Sequence, residues 1–319
     1  MSKNNHTVLP FFIALMLFSA CAYADHPCQT YDQPSNTGNL SRNILSETSG
    51  IAFGKVNPDV MWAHNDSGAE PLIYAVTKTG EMKGQWKIEG VKAVDWEDIA
   101  VGPCEINGKE SCIFIADMGN NKHKRQDMSI IVVKEPNLAT DQAWTDEPGK
   151  LETNQVISLQ YEPVENAQPE ESNPDTESLM IHPKTGELYT ISKSIKGEKS
   201  ILFHIPRPKA NETVKPEPLG SWLFSAFPVF GSTTGADFSP SGTHYVIRTY
   251  WKAYEYDIEA YGSVEAAFQH PRFIFHIGEK QGESIAYDPD GITIWTVGEG
   301  ELANVLRYSC AEKGNVSAH

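Results

Sequence analysis

Five short segments share one pattern, recur at intervals near fifty residues, and each leads through a turn into a second β-rich run. Together these observations predict an all-β chain folded as a β-propeller. The segments are Ser49-Gly50-Ile51-Ala52-Phe53, Glu97-Asp98-Ile99-Ala100-Val101, Glu177-Ser178-Leu179-Met180-Ile181, Thr234-Gly235-Ala236-Asp237-Phe238 and Glu283-Ser284-Ile285-Ala286-Tyr287. Each begins with an oxygen-bearing side chain, continues with a small or acidic residue and ends in an apolar run. Their first residues lie 48, 80, 57 and 49 apart. Five blades are expected, and the 80-residue interval leaves room for a sixth.

The remaining strands follow in order. Inner strands end at Asn57-Pro58-Asp59, Pro183-Lys184-Thr185-Gly186, Pro240-Ser241-Gly242 and Pro289-Asp290-Gly291. These are turn formers, because Pro fixes φ and Gly accepts positive φ. Second strands are expected over 60–64, 112–116, 188–192, 244–249 and 293–297. Third strands fall over 72–76, 129–134, 200–205, 253–258 and 304–308, and fourth strands over 83–88, 151–161, 219–224 and 268–277. The last blade runs out of C-terminal sequence after three strands. Residues 28–43 can supply the missing outer strand, so the ring is expected to close by an N-terminal strand pairing with the C-terminal blade. Within the 80-residue interval, 137–150 and 163–175 read as loops, the second acidic through Glu165, Glu170 and Glu171.

The chain begins with a basic Met1-Ser2-Lys3, an apolar run from Val8 to Ala20, and Ala22-Tyr23-Ala24. That is the layout of a secretory signal peptide over 1–24, leaving one propeller domain over 25–319. The apolar run is too short for a membrane span. Lipidation at Cys21 is the weaker alternative, because Phe18 stands where Leu is expected. The formal charge of −16 becomes −17 once Lys3 is removed with the leader. Such a surface repels nucleic-acid polymers and suits an exported protein, periplasmic or secreted, that binds cations. A monomer with a small-molecule or surface ligand is expected. Four cysteines remain, and an even count in an exported chain argues for two disulfides. Three pairings exist. Cys104–Cys112 would staple one hairpin, and Cys28–Cys310 would then join the chain ends.

Ser49, Glu97, Glu177, Thr234 and Glu283 hold equivalent inner-strand positions, so they are expected to form one ring facing the central channel. Three carboxylates in a narrow channel repel one another unless protonated or neutralised. A Ca²⁺ ion resolves this, because it accepts six to eight oxygen ligands in flexible geometry, whereas Mg²⁺ demands a tighter octahedron. A water-filled polar channel is the plain alternative. At the mouth, Asp66 and Asp117 are candidate catalytic carboxylates. Asn65, Asn120, Lys193, Arg248 and Glu299 are candidate substrate contacts. Carboxylates beside cations at one mouth suit a metal-bound anion and an attacking water. The Asn65-Asp66-Ser67-Gly68 string would equally form Asx-turns that cap a hairpin.

On the segments 47–53, 95–101, 176–178, 235–240 and 282–286, the chain resembles the calcium-activated nucleotidases, the apyrase family of five-bladed propellers. The likeness in order and spacing runs over most of 45–310. It implies that inner-strand Ser and Glu side chains hold Ca²⁺ in the channel. Asn65-Asp66-Ser67-Gly68 resembles an active-site Asp-Asp-x-x-Gly segment of that family, which implies that Asp66 orients or activates a water. The family's nucleotide-binding basic residues have no match, and the run Lys122-His123-Lys124-Arg125 reads as a solvated loop. His64-Asn65-Asp66-Ser67-Gly68 and Asp95-Trp96-Glu97-Asp98 more closely resemble a group of exported bacterial propellers with no assigned activity. The expected function is therefore an exported calcium-binding propeller acting as a Ca²⁺-dependent hydrolase of phosphoanhydrides or related substrates. A non-catalytic binding propeller with structural Ca²⁺ and a lactonase- or esterase-like propeller are the alternatives. No G-x-x-x-x-G-K-[ST], H-E-x-x-H or G-x-S-x-G string occurs.

Overall fold

The runs headed by Ser49, Glu97, Glu177, Thr234 and Glu283 are buried on both faces, which is why they read as continuous apolar stretches rather than alternating ones. In the computed structural model, which describes residues 27–139, 143–162, 172–209, 211–279 and 281–311, they are the innermost strands of five four-stranded units. The first unit is β2 (Thr48–Phe53), β3 (Val60–Asn65), β4 (Leu72–Thr77) and β5 (Met82–Glu89). The second is β6 (Trp96–Pro103), β7 (Ser111–Asp117), β8 (Ser129–Lys134) and β9 (Gly149–Leu159). The third is β10 (Thr176–Ile181), β11 (Leu188–Ser192), β12 (Ser200–Ile205) and β14 (Glu217–Trp222). The fourth is β15 (Thr233–Phe238), β16 (His244–Thr249), β17 (Lys252–Asp257) and β18 (Arg272–His276). The fifth is β19 (Gly282–Tyr287), β20 (Ile294–Gly298), β21 (Asn304–Tyr308) and β1 (Ser35–Asn39).

Within each unit neighbouring strands pair antiparallel. The inner strands touch in the cycle β2, β6, β10, β15, β19 and back to β2. Five apolar clusters fill the five gaps between adjacent units. Examples are Trp62, Ile73 and Ile113 between the first and second, and Phe53, Met61, Trp295 and Val305 between the fifth and first. This is a β-propeller.

Closure follows the expected route. β1 pairs antiparallel with β21, and Tyr31 bridges to Cys310. The two disulfides are Cys28–Cys310 and Cys104–Cys112. Such bonds persist in an oxidising compartment. Around the closure, Glu255 accepts from the hydroxyls of Tyr31 (3.2 Å) and Tyr287 (2.7 Å) and pairs with Arg272.

Three features were not expected. The first half of β9 runs parallel to β5 (Trp86 opposite Gly149), joining the first two units into one larger sheet. A two-residue strand, β13 (Thr213–Val214), adds parallel to the far end of β9. The expected fourth strand over 268–277 begins only at Arg272, because two short helices, Ile258–Tyr261 and Val264–Phe268, precede it. Asp257 and Ser263 cap them, and Gly262, at φ 87°, ends the first. The expected signal peptide, Cys21 and the acidic stretch of Glu165, Glu170 and Glu171 lie outside the described residues. No helix among the described residues is long and apolar enough to cross a membrane.

Candidate metal centre

Each inner strand carries a pairing irregularity at one equivalent place. The register slips between Thr48 and Gly50, Trp96 and Asp98, Thr176 and Leu179, Thr233 and Gly235, and Gly282 and Ser284. Ser49, Glu97, Glu177, Thr234 and Glu283 are therefore the unopposed residues of five bulges. A bulge re-aims its side chain out of the ladder. Here the result is a buried set. Ser49 Oγ donates to the Glu97 carbonyl at 2.6 Å and to Glu283 Oε2 at 3.4 Å. Thr234 Oγ1 donates to the Gly282 carbonyl at 3.4 Å.

Two residues upstream, immediately before β6 and β10 begin, Asp95 and Asp175 add two more carboxylates. Oxygens of Glu97, Asp175 and Glu177 lie within 4.8 Å of one another, and so do those of Asp66, Asp95 and Glu97. Glu97 belongs to both groups, and either group could hold a metal ion. Beneath them the buried Asp98 accepts the N–H groups of Ile99 and Leu179, each at 2.8 Å. The arrangement is a cup of carboxylates with a hydrogen-bonded floor.

The wall and lid are specific. Lys193 forms an ion pair with Glu177 Oε1 and lies 5.3 Å over the Tyr250 ring. The Tyr250 hydroxyl donates to Glu283 Oε1 at 2.8 Å. Asn120 donates its backbone N–H to Asp175 Oδ1 at 2.6 Å, while its own side-chain oxygen accepts from Lys124 and Arg125 N–H. Gly119 passes so close that a Cβ there would sit 1.9 Å from Glu97 Oε1 and 2.4 Å from Asp95 Oδ2. Only glycine fits.

Electrostatically the cup is under load. Burial holds the carboxyls of Glu97 and Glu177 well above the usual range. Repulsion by Glu177 adds to the shift of Glu97, and Lys193 partly relieves Glu177. Burial also raises Asp95 and Asp175. Asp66 is pushed up to about 6 and Glu299 to about 7, in both cases chiefly by burial, with Glu283 adding repulsion. Glu177 Oε2 is buried and has no hydrogen-bond partner among the described residues. A buried acceptor left this way costs about 1–3 kcal/mol, more if charged.

Of the expected mouth residues, Asp66, Lys193 and Glu299 reach the cup. Asp117 is committed elsewhere. It accepts the N–H of Asp95 (3.1 Å) and Val94 (3.4 Å) and pairs with Arg125 at 2.8 Å, so it positions Asp95. Asn65 holds the entry to β2 through the Ile44 carbonyl (2.6 Å) and the Glu47 N–H (3.2 Å). Asn120 is a lid residue. Arg248 is a correction. It is fully buried between the fourth and fifth units, bonded to Glu279 at 3.1 Å and to the Ser284 carbonyl at 2.8 Å. It pairs with Gly235 below the bulge, and Tyr250, two residues on, occupies the mouth instead. Asp95, Asp175 and Tyr250 were missed. The repeated Asp-x-Glu spacing at 95–97 and 175–177 was the available signal.

No family model and no curated protein matches the chain. Among solved structures it is similar to the β-propeller domain of Cps50 (Swd1) from Myceliophteria thermophila, at 9% identity over 83% of this chain and 84% of that one, TM-score 0.38. It is also similar to the Dos1 propeller, at 9% identity over 83% and 68%, TM-score 0.36. A chain from Bacteroides uniformis described as a 6-phosphogluconolactonase shares 11% identity over 84% and 68%, TM-score 0.38. At such identities the likeness concerns fold and says nothing of activity.

Proposed function

We propose that the cup is a Ca²⁺ centre and that the protein is an exported Ca²⁺-dependent hydrolase working at the propeller mouth on phosphoanhydrides or related esters. The observation that carries this reading is Glu177 Oε2, a buried oxygen without a partner among the described residues, set among carboxyls whose burial raises their pKa values and so disfavours their charge when no cation is bound. Glu97, Asp175 and Glu177 offer the oxygens, and Asp66 and Asp95 lie outside that set, in the other group that shares Glu97. The hydroxyls of Ser49 and Thr234 and the carboxylate of Glu283 complete the surrounding ring. Calcium suits so many oxygens on strands that cannot shift to an ideal octahedron. The ion would polarise a substrate oxygen. Asp66, at the rim, would take a proton from an attacking water. Lys193, beside Glu177, would offset negative charge on the substrate once the ion's charge competes for Glu177.

The test is a thermal-shift titration with Ca²⁺ beside a panel of nucleotides, lactones and aryl esters, with and without the ion. Asp66→Asn should lower turnover by a factor on the order of 100 or more and leave the Ca²⁺-linked shift in place. No thermal shift at millimolar Ca²⁺ overturns the metal centre. The N–H of Ser67 donates to Asp66 Oδ1 at 2.5 Å, a local contact within the turn that favours a second reading. In that reading Ca²⁺ only stabilises a binding propeller, Asp66→Asn costs stability, and the panel shows no turnover.

A further inference from the structure

The mouth is not symmetric. Over the third and fourth units three segments meet. Val229 donates its N–H to the Ile195 carbonyl at 3.0 Å, Ser232 Oγ to the Ser194 carbonyl at 2.8 Å, and Tyr250 its N–H to the Ser232 carbonyl at 3.3 Å. The surface they form is apolar and open. Phe227 is 74% exposed, Phe230 and Trp251 50% each, and Ile195 43%. Phe230 and Trp251 stack face to face, with centroids 5.0 Å apart and planes 15° apart. Large aromatics left half-exposed on a chain of charge −16 mark a contact surface.

Ile195 also walls a cavity of about 300 Å³ that opens beside the cup and includes Asp175 and Lys193. Its other charged groups are Lys196, Lys199, Glu198 and His123. Glu198 is taken up locally, accepting from Ser194 Oγ at 2.9 Å and from the Lys196 N–H at 3.2 Å. Lys193 is held by Glu177, so the ammonium group that the cavity offers a ligand is that of the exposed Lys199, at the edge of an otherwise acidic mouth.

Resting on the metal-centre reading for its catalytic meaning but not for its binding, we infer that the cavity and the aromatic surface form one subsite. Its ligand is an organic molecule with an anionic group and a flat aromatic ring. The anion lies beside Lys199, and the ring lies along Ile195, Phe230 and Trp251. Anions without a ring fit poorly, because they have nothing to place on the apolar surface.

Calorimetric titration of the Ca²⁺-loaded full chain with three inert probes tests this. 1-Naphthalenesulfonate should bind at least about ten-fold tighter than methanesulfonate, which lacks the ring, and than 1-naphthalenemethanol, which lacks the charge. Phe230→Ala with Trp251→Ala should erase the first preference, and Lys199→Glu the second. Equal affinity for ring and ringless anions, equal affinity for charged and neutral rings, absence of saturable binding, or preferences that survive the variants each overturn the subsite. The Ca²⁺-dependent melting shift is read on the same samples. A normal shift without ring preference removes the subsite alone, and ring preference without a shift removes the metal centre alone.

Discussion

Glu97 and Glu177 show how one residue position per blade can define a centre. Their strand neighbours are ordinary ladder residues, but the bulge turns these two carboxylates inward, and at Glu177 the ion pair with Lys193 leaves Oε2 without a partner among the described residues. Without a cation the cup holds protons more tightly than the unfolded chain does. Between about pH 4 and about pH 7 these carboxyls therefore bind more protons in the folded state and should pull stability down as pH rises, outnumbering the buried His64 and His244 and the half-buried His182, whose lowered values pull the other way. Saturating Ca²⁺ should reverse the slope, because the ion competes with those protons and gains affinity as they leave. Melting curves at pH 4.5 to 7.5, with chelator and with Ca²⁺, check both signs. Stability of the chelated protein that rises over this range would contradict the shifted carboxyls. Ser49, Glu97, Glu177, Thr234 and Glu283 were legible in the sequence because each heads a repeat. Asp95 and Asp175 were not, because alignment on a single position hides a partner two residues upstream. Arg248 was misplaced for a related reason: the bulge moves the mouth two residues along the second strand, to Tyr250.

At the scale of elements, strands were legible wherever a Pro- or Gly-bearing turn separated two apolar runs. The third strands over 129–134, 200–205 and 304–308 were placed to the residue. The helices at 258–268 were hidden because Phe268 and its neighbours are apolar enough to read as strand, and the Asp257 and Ser263 caps were passed over. Long-range joints were also invisible. One buried side chain, Glu135 after β8, accepts the N–H groups of Lys55 (3.1 Å), Val56 (3.0 Å) and Asn57 (3.3 Å), the Trp62 indole (3.2 Å) and the Ser111 hydroxyl (2.6 Å). It fastens the first unit's lower turn to the second unit. Nothing local in the sequence announces this, because the partners lie up to 80 residues away. Glu135→Ala leaves these donors buried without an acceptor. It should cost about 3 kcal/mol in urea unfolding, while Ca²⁺ still raises the melting temperature, since the cup lies at the other end of the inner strands. A loss under about 0.5 kcal/mol would show that water replaces the carboxylate.

For the whole molecule the decisive event is closure. Five units stabilise one another only through the gaps between them, and the gap beside the fifth unit is sealed by a strand from the opposite end of the chain. β1 supplies the hydrogen bonds, Tyr31 and Arg272 meet at Glu255, and Cys28–Cys310 makes the seal covalent across 282 residues. Cys104–Cys112 spans only 8. If a disulfide acts mainly by restricting the unfolded chain, the long bridge contributes about 5 kcal/mol and the short one about 2–3 kcal/mol. Replacing Cys28 and Cys310 by Ser should therefore lower the melting temperature by on the order of 10 °C, and replacing Cys104 and Cys112 by clearly less. Scanning calorimetry of the two double variants with Ca²⁺ present makes the comparison at constant metal load. Equal losses would mean that β1 closes the ring without needing the covalent bond. A larger loss at Cys104 and Cys112 would place the weak point of the ring in the second unit, where β9 already joins two sheets, and not at the seam between the chain ends.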